Sequence, residues 1–328
     1  MEDILLEINH LKSSFFTGKG VVPAVDDVSI RIPKGKIVGI VGESGCGKSM
    51  TARSIMDLLK YPGKVVDGEI LLEGRDLTKL SEKEVKKLRG SEISMIFQEP
   101  MTSLNPVVKV GKQVREAIIV HQKISKDEAK KKVLQAFEQV GISEPEKRYE
   151  CYPHELSGGL RQRVMIAMAM VCRPKLMIAD EPTTALDVTI EAQILKLIKK
   201  LCEDTGMSCL LISHNLGVIA QMCDYVYVMY AGKIVEQGDV FTIFEHPLHP
   251  YTQGLLASVI RLDALPDRLP TIPGIVPNLM HLPEGCAFCG RCNSAEDMCR
   301  TKRPQLYQAG EEHMVRCFLT GTKEAAHE

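Results

Sequence analysis

The octapeptide Gly42-Glu43-Ser44-Gly45-Cys46-Gly47-Lys48-Ser49 fits G-x-x-x-x-G-K-S without a mismatch. Ahead of it, Val38-Gly39-Ile40-Val41 is a short apolar run of strand type; behind it, Ser49 to Leu59 continues as a helix. Each part of that order has a physical use. The glycines let the loop curl until backbone N–H groups point inward at phosphate oxygens. The helix starting near Lys48 adds its positive N-terminal end. Lys48 supplies a point charge to β- and γ-phosphates, and the Ser49 hydroxyl is placed for Mg²⁺. Gly42, Ser44, Gly45, Gly47, Lys48, Ser49 and Met50 are the candidate phosphate and metal positions here. Cys46 reads as a small filler within the loop, not a nucleophile.

Further along, Leu176-Met177-Ile178-Ala179 and Ser208-Cys209-Leu210-Leu211-Ile212 are short, apolar and bounded by polar residues, as buried parallel strands are. Between them Ile190, Ile194, Leu197, Ile198 and Leu201 recur at helical spacing. Strands and helices alternating in this way predict an α/β sheet. Asp180-Glu181 follows the first run directly. A strand-terminal Asp suits Mg²⁺ held through water, and the adjacent Glu can take a proton from an attacking water. Alone, such a pair is an ordinary surface feature; behind a phosphate loop it is a candidate for chemistry. A second anion site is written in Leu156-Ser157-Gly158-Gly159-Leu160-Arg161-Gln162-Arg163, before the apolar helix Val164 to Val171. Ser157 can cap that helix, and Gly158 and Gly159 let a phosphate approach its end. Two such ends cannot both serve one nucleotide in cis. They make sense if two domains face each other, each completing the other's site.

Composition narrows the class. The 328 residues are 45% hydrophobic and 25% charged, and 41 Lys plus Arg against 42 Asp plus Glu leave a formal charge of −1. That balance gives no polyanion-binding surface spread over the molecule, so no nucleic-acid partner is expected. Charged stretches at 81–89 and 123–139 alternate Lys with Glu and Asp and read as solvated amphipathic helices. The longest apolar run, Val164 to Cys172, is nine residues, about half of what a membrane-spanning helix needs. The start, Met1-Glu2-Asp3-Ile4-Leu5-Leu6, lacks a basic region, so no secretory signal is expected. Seven prolines (Pro247, Pro250, Pro266, Pro270, Pro273, Pro277, Pro283) then punctuate a stretch that cannot hold a long helix or a central strand. The expected organisation is a main domain at 1–240, with a helical subdomain at about 100–170, then a Pro-rich arm and a small Cys-bearing module at 241–328.

At this point the chain resembles the ATP-binding subunits of ABC transporters, over essentially its whole length. Gly42 to Ser49 matches Walker A, Leu176 to Asp180 Walker B, and Glu181 the catalytic glutamate. Gln98 in Ile96-Phe97-Gln98-Glu99-Pro100 matches the Q-loop glutamine. Leu156 to Arg161 matches the signature motif, with Leu160 where the commonest form has Gln. Ala185-Leu186-Asp187 matches the D-loop, and His214 in Ile212-Ser213-His214-Asn215 the switch histidine. Phe15, or its neighbour Phe16, stands where the family stacks an aromatic on adenine. The resemblance implies a P-loop ATPase of ABC type that hydrolyses ATP at a dimer interface. In it, Lys48 and Ser49 hold phosphates and Mg²⁺, Gln98 and Asp180 complete the metal shell, and Glu181 polarises water. His214 contacts the γ-phosphate, while Ser157, Gly158 and Gly159 act on the partner's ATP.

Three further blocks resemble peptide and nickel importer ATPases: Phe97 to Pro106, His246 to Thr252, and the tail from Ile272 to Pro277 with Pro283 to Phe288 and Arg291-Cys292. The implied partners are two transmembrane permease subunits, a second ABC ATPase chain, and an extracytoplasmic peptide-binding protein, with the chain on the cytoplasmic face of the cell membrane. The implied cargo is dipeptides, oligopeptides or nickel. A soluble ABC ATPase without a transporter is the rival reading; its usual coiled coil or tandem cassettes are not written here.

The 11 cysteines are unevenly spread, and five of them (Cys286, Cys289, Cys292, Cys299, Cys317) fall near the end. Such tight spacing suits an iron–sulfur cluster, zinc, or free thiols. The resemblance adds that related tails carry cysteines at the positions of Cys286, Cys292, Cys299 and Cys317, where a [4Fe-4S] cluster is implied. Cys289 departs from that pattern and would be the spare thiol.

Overall fold

Every residue of the strand Ile37–Val41 is buried, as a continuous apolar run between turn residues requires. In the computed structural model, residues 3–98, 103–184, 186–258 and 271–321 are described. Glu99 to Thr102 of the segment after Gln98, Ala185 of the D-loop, and Pro266 and Pro270 of the arm lie outside the described residues. The chain divides into two compact units, the first comprising Met1–Leu5, Ile32–Lys36 and Lys79–Leu211, the second Leu6–Arg31, Ile37–Thr78 and Ile212–Glu328.

In the first unit, strands Ile93–Ile96 and Leu176–Asp180 run parallel, Ile93 opposite Leu176 and Ile96 opposite Ala179. The helices Val110–His121, Lys126–Gln139, Gly158–Met170 and Val188–Thr205 belong here. Ser125 and Glu128 form a capping box that fixes where the second begins. That helix turns Ala129, Val133, Ala136 and Phe137 inward and leaves its Lys run outside. Complete burial of Val133 and Phe137 contributes about 2 kcal/mol each. The charged stretches at 81–89 and 123–139 are therefore amphipathic helices, Glu82–Leu88 and Lys126–Gln139, as their patterns predict.

In the second unit, Ile37–Val41 runs parallel to Tyr225–Tyr230, Val38 opposite Tyr225 and Val41 opposite Val228. Tyr225–Tyr230 pairs antiparallel with Lys233–Asp239, which pairs in turn with Met314–Val315. A second, antiparallel sheet sets Ile4–Thr17 beside Gly63–Leu72. The α/β reading missed this sheet. Its strands carry charged residues inside the apolar alternation, and the register slips between Asn9 and Ser13, which breaks the period of two.

The tail does not form a body of its own. Residues from Ile212 onward belong to the same unit as the glycine turn. Instead Val315 is fully buried beside Lys233–Asp239, and Phe288 packs against Tyr230 and Tyr251 at ring distances of 5.2 and 5.5 Å. The fixing group is Glu236, with no exposed surface. Its carboxylate accepts from the Leu248 N–H at 2.7 Å and the His249 N–H at 3.0 Å, and pairs with His313 Nε2 at 2.8 Å. In the arm, Pro250 takes the first position of a short helix, Pro250–Ala257, where its missing N–H costs nothing.

Candidate functional site

The phosphate loop lies wholly in the second unit, between Ile37–Val41 and the helix Lys48–Ile55. Gly47 caps the helix at φ 113°, and a β-carbon there would stand 2.4 Å from the Ala24 carbonyl oxygen. No other residue fits both demands. Lys48 is 5% exposed and donates to the carbonyls of Gly42 at 2.7 Å and Glu43 at 3.0 Å. Ser44 and Gly45 are exposed at the crest, with Ser49 and Met50 half-buried below. Cys46 is fully buried, and burial pushes its thiol up, so it is protonated packing as the sequence suggested. Of the two adjacent aromatics, Phe15 is half-buried, and a β-carbon on Gly63 would stand 2.6 Å from its ring. Phe16 is exposed beneath the Lys64 ammonium, 4.8 Å from its ring centre. His214 is exposed in the turn that Asn215 closes by capping the helix Leu216–Met222.

The acidic pair lies in the first unit. Asp180 ends its strand at 2% exposure. Glu181 follows at φ 46°, a left-handed conformation that turns the chain sharply after the strand. Its Oε2 accepts from the Gln98 side-chain amide at 2.8 Å and from the Thr184 hydroxyl at 3.1 Å. Gln98 and Glu181, 83 residues apart in sequence, are thus brought together. Two donors on one carboxylate oxygen fix the orientation of the carboxylate plane. Ser157 caps Gly158–Met170 by accepting from the Leu160 N–H at 3.4 Å, and Arg161 donates back to the Leu156 carbonyl. A β-carbon on Gly159 would crowd Ile190 at 3.0 Å.

Sequence reasoning passed over Gln162 and Thr184. Gln162, fully buried in the helix that Ser157 caps, donates to the carbonyl of Pro182, the residue after Glu181. Its signal was a polar residue one turn into an apolar helix. Thr184 stands three residues after Glu181, within side-chain reach of a carboxylate in a turn.

The five tail cysteines all line one small cavity with His249, Phe288, Phe318 and Leu319. They are not gathered into a ligand set: among the described residues, no group of three or more His, Cys, Asp or Glu is arranged to hold a metal ion. The metal expected on Cys286, Cys292, Cys299 and Cys317, with Cys289 as a further candidate, therefore has no site in this arrangement. The cavity holds about 20 Å³, room for roughly one water. Burial favours the neutral thiol, pushing Cys286 up to about 11 and raising Cys292 and Cys317.

Residues 25–184 match the family model described as ABC transporter, and residues 235–299 the one described as the C-terminal region of the oligopeptide/dipeptide transporter. The oligopeptide transport ATP-binding protein AppD of Bacillus subtilis is 52% identical over 316 residues, 96% of each chain. The chain belongs to the ABC transporter ATPases. The dipeptide transport ATP-binding protein DppD of B. subtilis is 51% identical, covering 96% of this chain and 94% of its own. The post-hydrolysis dimer of the ATP-binding cassette MJ0796, bound to ADP and Pi, shares the fold at a TM-score of 0.65 and 26% identity, over 72% of this chain and 98% of that one. This ABC ATPase hydrolyses ATP, and none of its described helices is long and apolar enough to cross a membrane.

Proposed function

We propose that this ABC ATPase couples ATP hydrolysis to the uptake of dipeptides or oligopeptides. The observation that carries the reading is the match of residues 235–299 to the oligopeptide/dipeptide transporter C-terminal region, beside relatives named for peptide transport along nearly the whole chain. The ATPase domain is taken as 1–240 and the arm and tail as 241–328. Partners in this reading are two transmembrane permeases, a second ATPase chain and an extracytoplasmic peptide-binding protein, with this chain on the cytoplasmic face of the membrane.

The residues divide the work. Gly42, Ser44, Gly45, Gly47, Lys48 and Met50 bind the phosphates through backbone donors and the Lys48 ammonium. The exposed ring of Phe16 favours it over Phe15 for stacking on adenine. Ser49, Gln98 and Asp180 offer hydroxyl, amide and carboxylate oxygens, a donor set that suits Mg²⁺. When bound, that ion neutralises charge on the phosphates. Glu181, its carboxylate oriented by Gln98 and Thr184, takes the proton of the attacking water. His214 contacts the γ-phosphate, and Ser157, Gly158 and Gly159 present a capped helix end to the ATP of the second chain.

Glu181→Gln is expected to lower turnover by at least about 10²-fold while ATP binding persists. A variant that hydrolyses at a near-normal rate sinks the general-base role. Uptake of labelled dipeptides, longer peptides and nickel, with and without the gene, tests the cargo; loss of nickel uptake alone would reject peptide import. A metal on Cys286, Cys292, Cys299 and Cys317 is supported by the convergence of the thiols on one cavity, which would have to open to admit it. Iron and sulfide analysis of anaerobically purified protein tests it, and a colourless, zinc-free product ends it.

A further inference from the structure

A cation from the far end of the chain reaches the second residue of the phosphate loop. Arg291, 8% exposed, donates through Nη1 to Glu43 Oε2 at 2.6 Å and through Nη2 to Glu43 Oε1 at 3.0 Å. This is the paired geometry that a planar guanidinium makes with a carboxylate and a lysine cannot reproduce. The guanidinium is itself fixed. Its Nε donates to the Pro273 carbonyl at 2.8 Å, and Nη1 reaches the Tyr230 hydroxyl at 3.5 Å. Glu43 is also held by its backbone. Its N–H donates to the Tyr251 hydroxyl at 2.8 Å, and its carbonyl accepts from Lys48 Nζ at 3.0 Å. Side chain and N–H are thus tied by residues beyond 240, and the carbonyl by the lysine that serves the phosphates. All of these residues lie in one compact unit.

A loop that binds phosphate through backbone donors works only if its curl is preset, since a loop that must order on binding loses affinity to that cost. Glu43 is 28% exposed and Arg291 nearly enclosed, so water screens their pairing less than it would a surface ion pair. Arg291 stands between Cys289 and Cys292 in the chain. Whatever displaces that cysteine segment also moves the guanidinium.

The geometry points to Arg291 and Tyr251 as positioning residues that hold the phosphate loop in its nucleotide-binding curl, so that ATP affinity depends on the C-terminal segment carrying the cysteines. Neither residue is placed on the nucleotide; both act through Glu43. The inference rests on the ATP-binding reading of the loop. Coupling of this kind is reciprocal, so a nucleotide that stabilises the curl also tightens the tail.

The test measures ATP binding and steady-state ATPase in the full chain for wild type, Arg291→Ala, Glu43→Gln and the double variant, with Arg291→Lys as the conservative control. Expected is a rise of about tenfold in the KM and Kd for ATP in each single variant, with a smaller change in kcat. The double variant should be no worse than the more affected single one, because both remove the same tie. Arg291→Lys should recover only part, having one donor centre for two oxygens. In wild type ATP should slow alkylation of the tail cysteines, mapped by peptide mass, and in Arg291→Ala it should not. Unchanged KM in the single variants, additive losses in the double, or ATP-independent alkylation overturns the inference. A wild type that binds no ATP refutes the reading of the loop instead, and the two failures are told apart.

Discussion

Glu236→Ala is expected to release the C-terminal segment from the strand it decorates while leaving the rest of the chain folded. The glutamate has no exposed surface and holds three partners: the backbone N–H groups of Leu248 and His249 and the His313 ring. Each buried donor left without an acceptor costs about 1–3 kcal/mol. Some water entry around half-buried Leu248 recovers part of that, so the sum comes to roughly 4 kcal/mol. A chain of two compact units does not promise a single unfolding transition, so a global melt is the wrong assay. Hydrogen exchange resolved by peptide reads the local opening instead. Roughly 4 kcal/mol corresponds to a loss of protection of about 10³-fold at 248–249 and across Met314–Val315, with little change in Ile93–Ile96. Glu236→Gln keeps one acceptor oxygen but turns an amide toward a donor, so its loss should be nearer tenfold. Unchanged protection at Leu248 and His249 in Glu236→Ala would refute the reasoning, because those amides would then owe nothing to the carboxylate.

Two other outcomes follow from particular groups. Gly47→Ala sets a β-carbon 2.4 Å from the Ala24 carbonyl at φ 113°, so the loop must shift; ATP affinity in equilibrium titration should fall by more than about tenfold, and native affinity would show that the loop tolerates it. His249 is buried against Phe288, and burial pushes it down to about 3 from an ordinary 6.5. The unfolded chain therefore takes up a proton that the folded chain refuses. The contribution is complete above pH 6.5 and lost as pH falls toward 3, by about 1.4 kcal/mol for each pH unit. In His249→Gln that part of the acid sensitivity should disappear from the pH dependence of exchange at Tyr251, and an unaltered profile would count against it.

The loop and its strand were legible because that chemistry allows few alternatives: Gly47 meets a carbonyl, and Lys48 must follow it; the helix behind them was legible in place but stops at Ile55, short of the expected Leu59. The strand Leu176–Asp180 and the helix Val188–Thr205 were legible from periodicity, extending their predicted ranges by a few residues at the ends. Ser157 as a helix cap was legible from residue type and position. What stayed hidden depends on contacts distant in sequence. Nothing local tells that Arg291 pairs with a residue 248 positions earlier, or that Glu236 collects donors from the arm and the tail. The strand Ile4–Thr17 was hidden because its register slips next to Leu11, a core residue, and breaks the alternation. The cysteine spacing suggested ligands, but spacing alone fixes neither the direction of each sulfur nor the room between them.

Glu181 turns at φ 46°, where a residue with a β-carbon is less stable by about 1–2 kcal/mol than it would be in a right-handed or extended conformation. Glycine meets no such penalty there, and asparagine a smaller one. Selection of variants for heat resistance alone should therefore enrich Glu181→Gly and Glu181→Asn, and on the proposed general-base role these sturdier proteins bind ATP and do not turn it over. The position is one where robustness and work are opposed by backbone geometry, and any campaign to stabilise this ATPase has to screen for turnover from its first round.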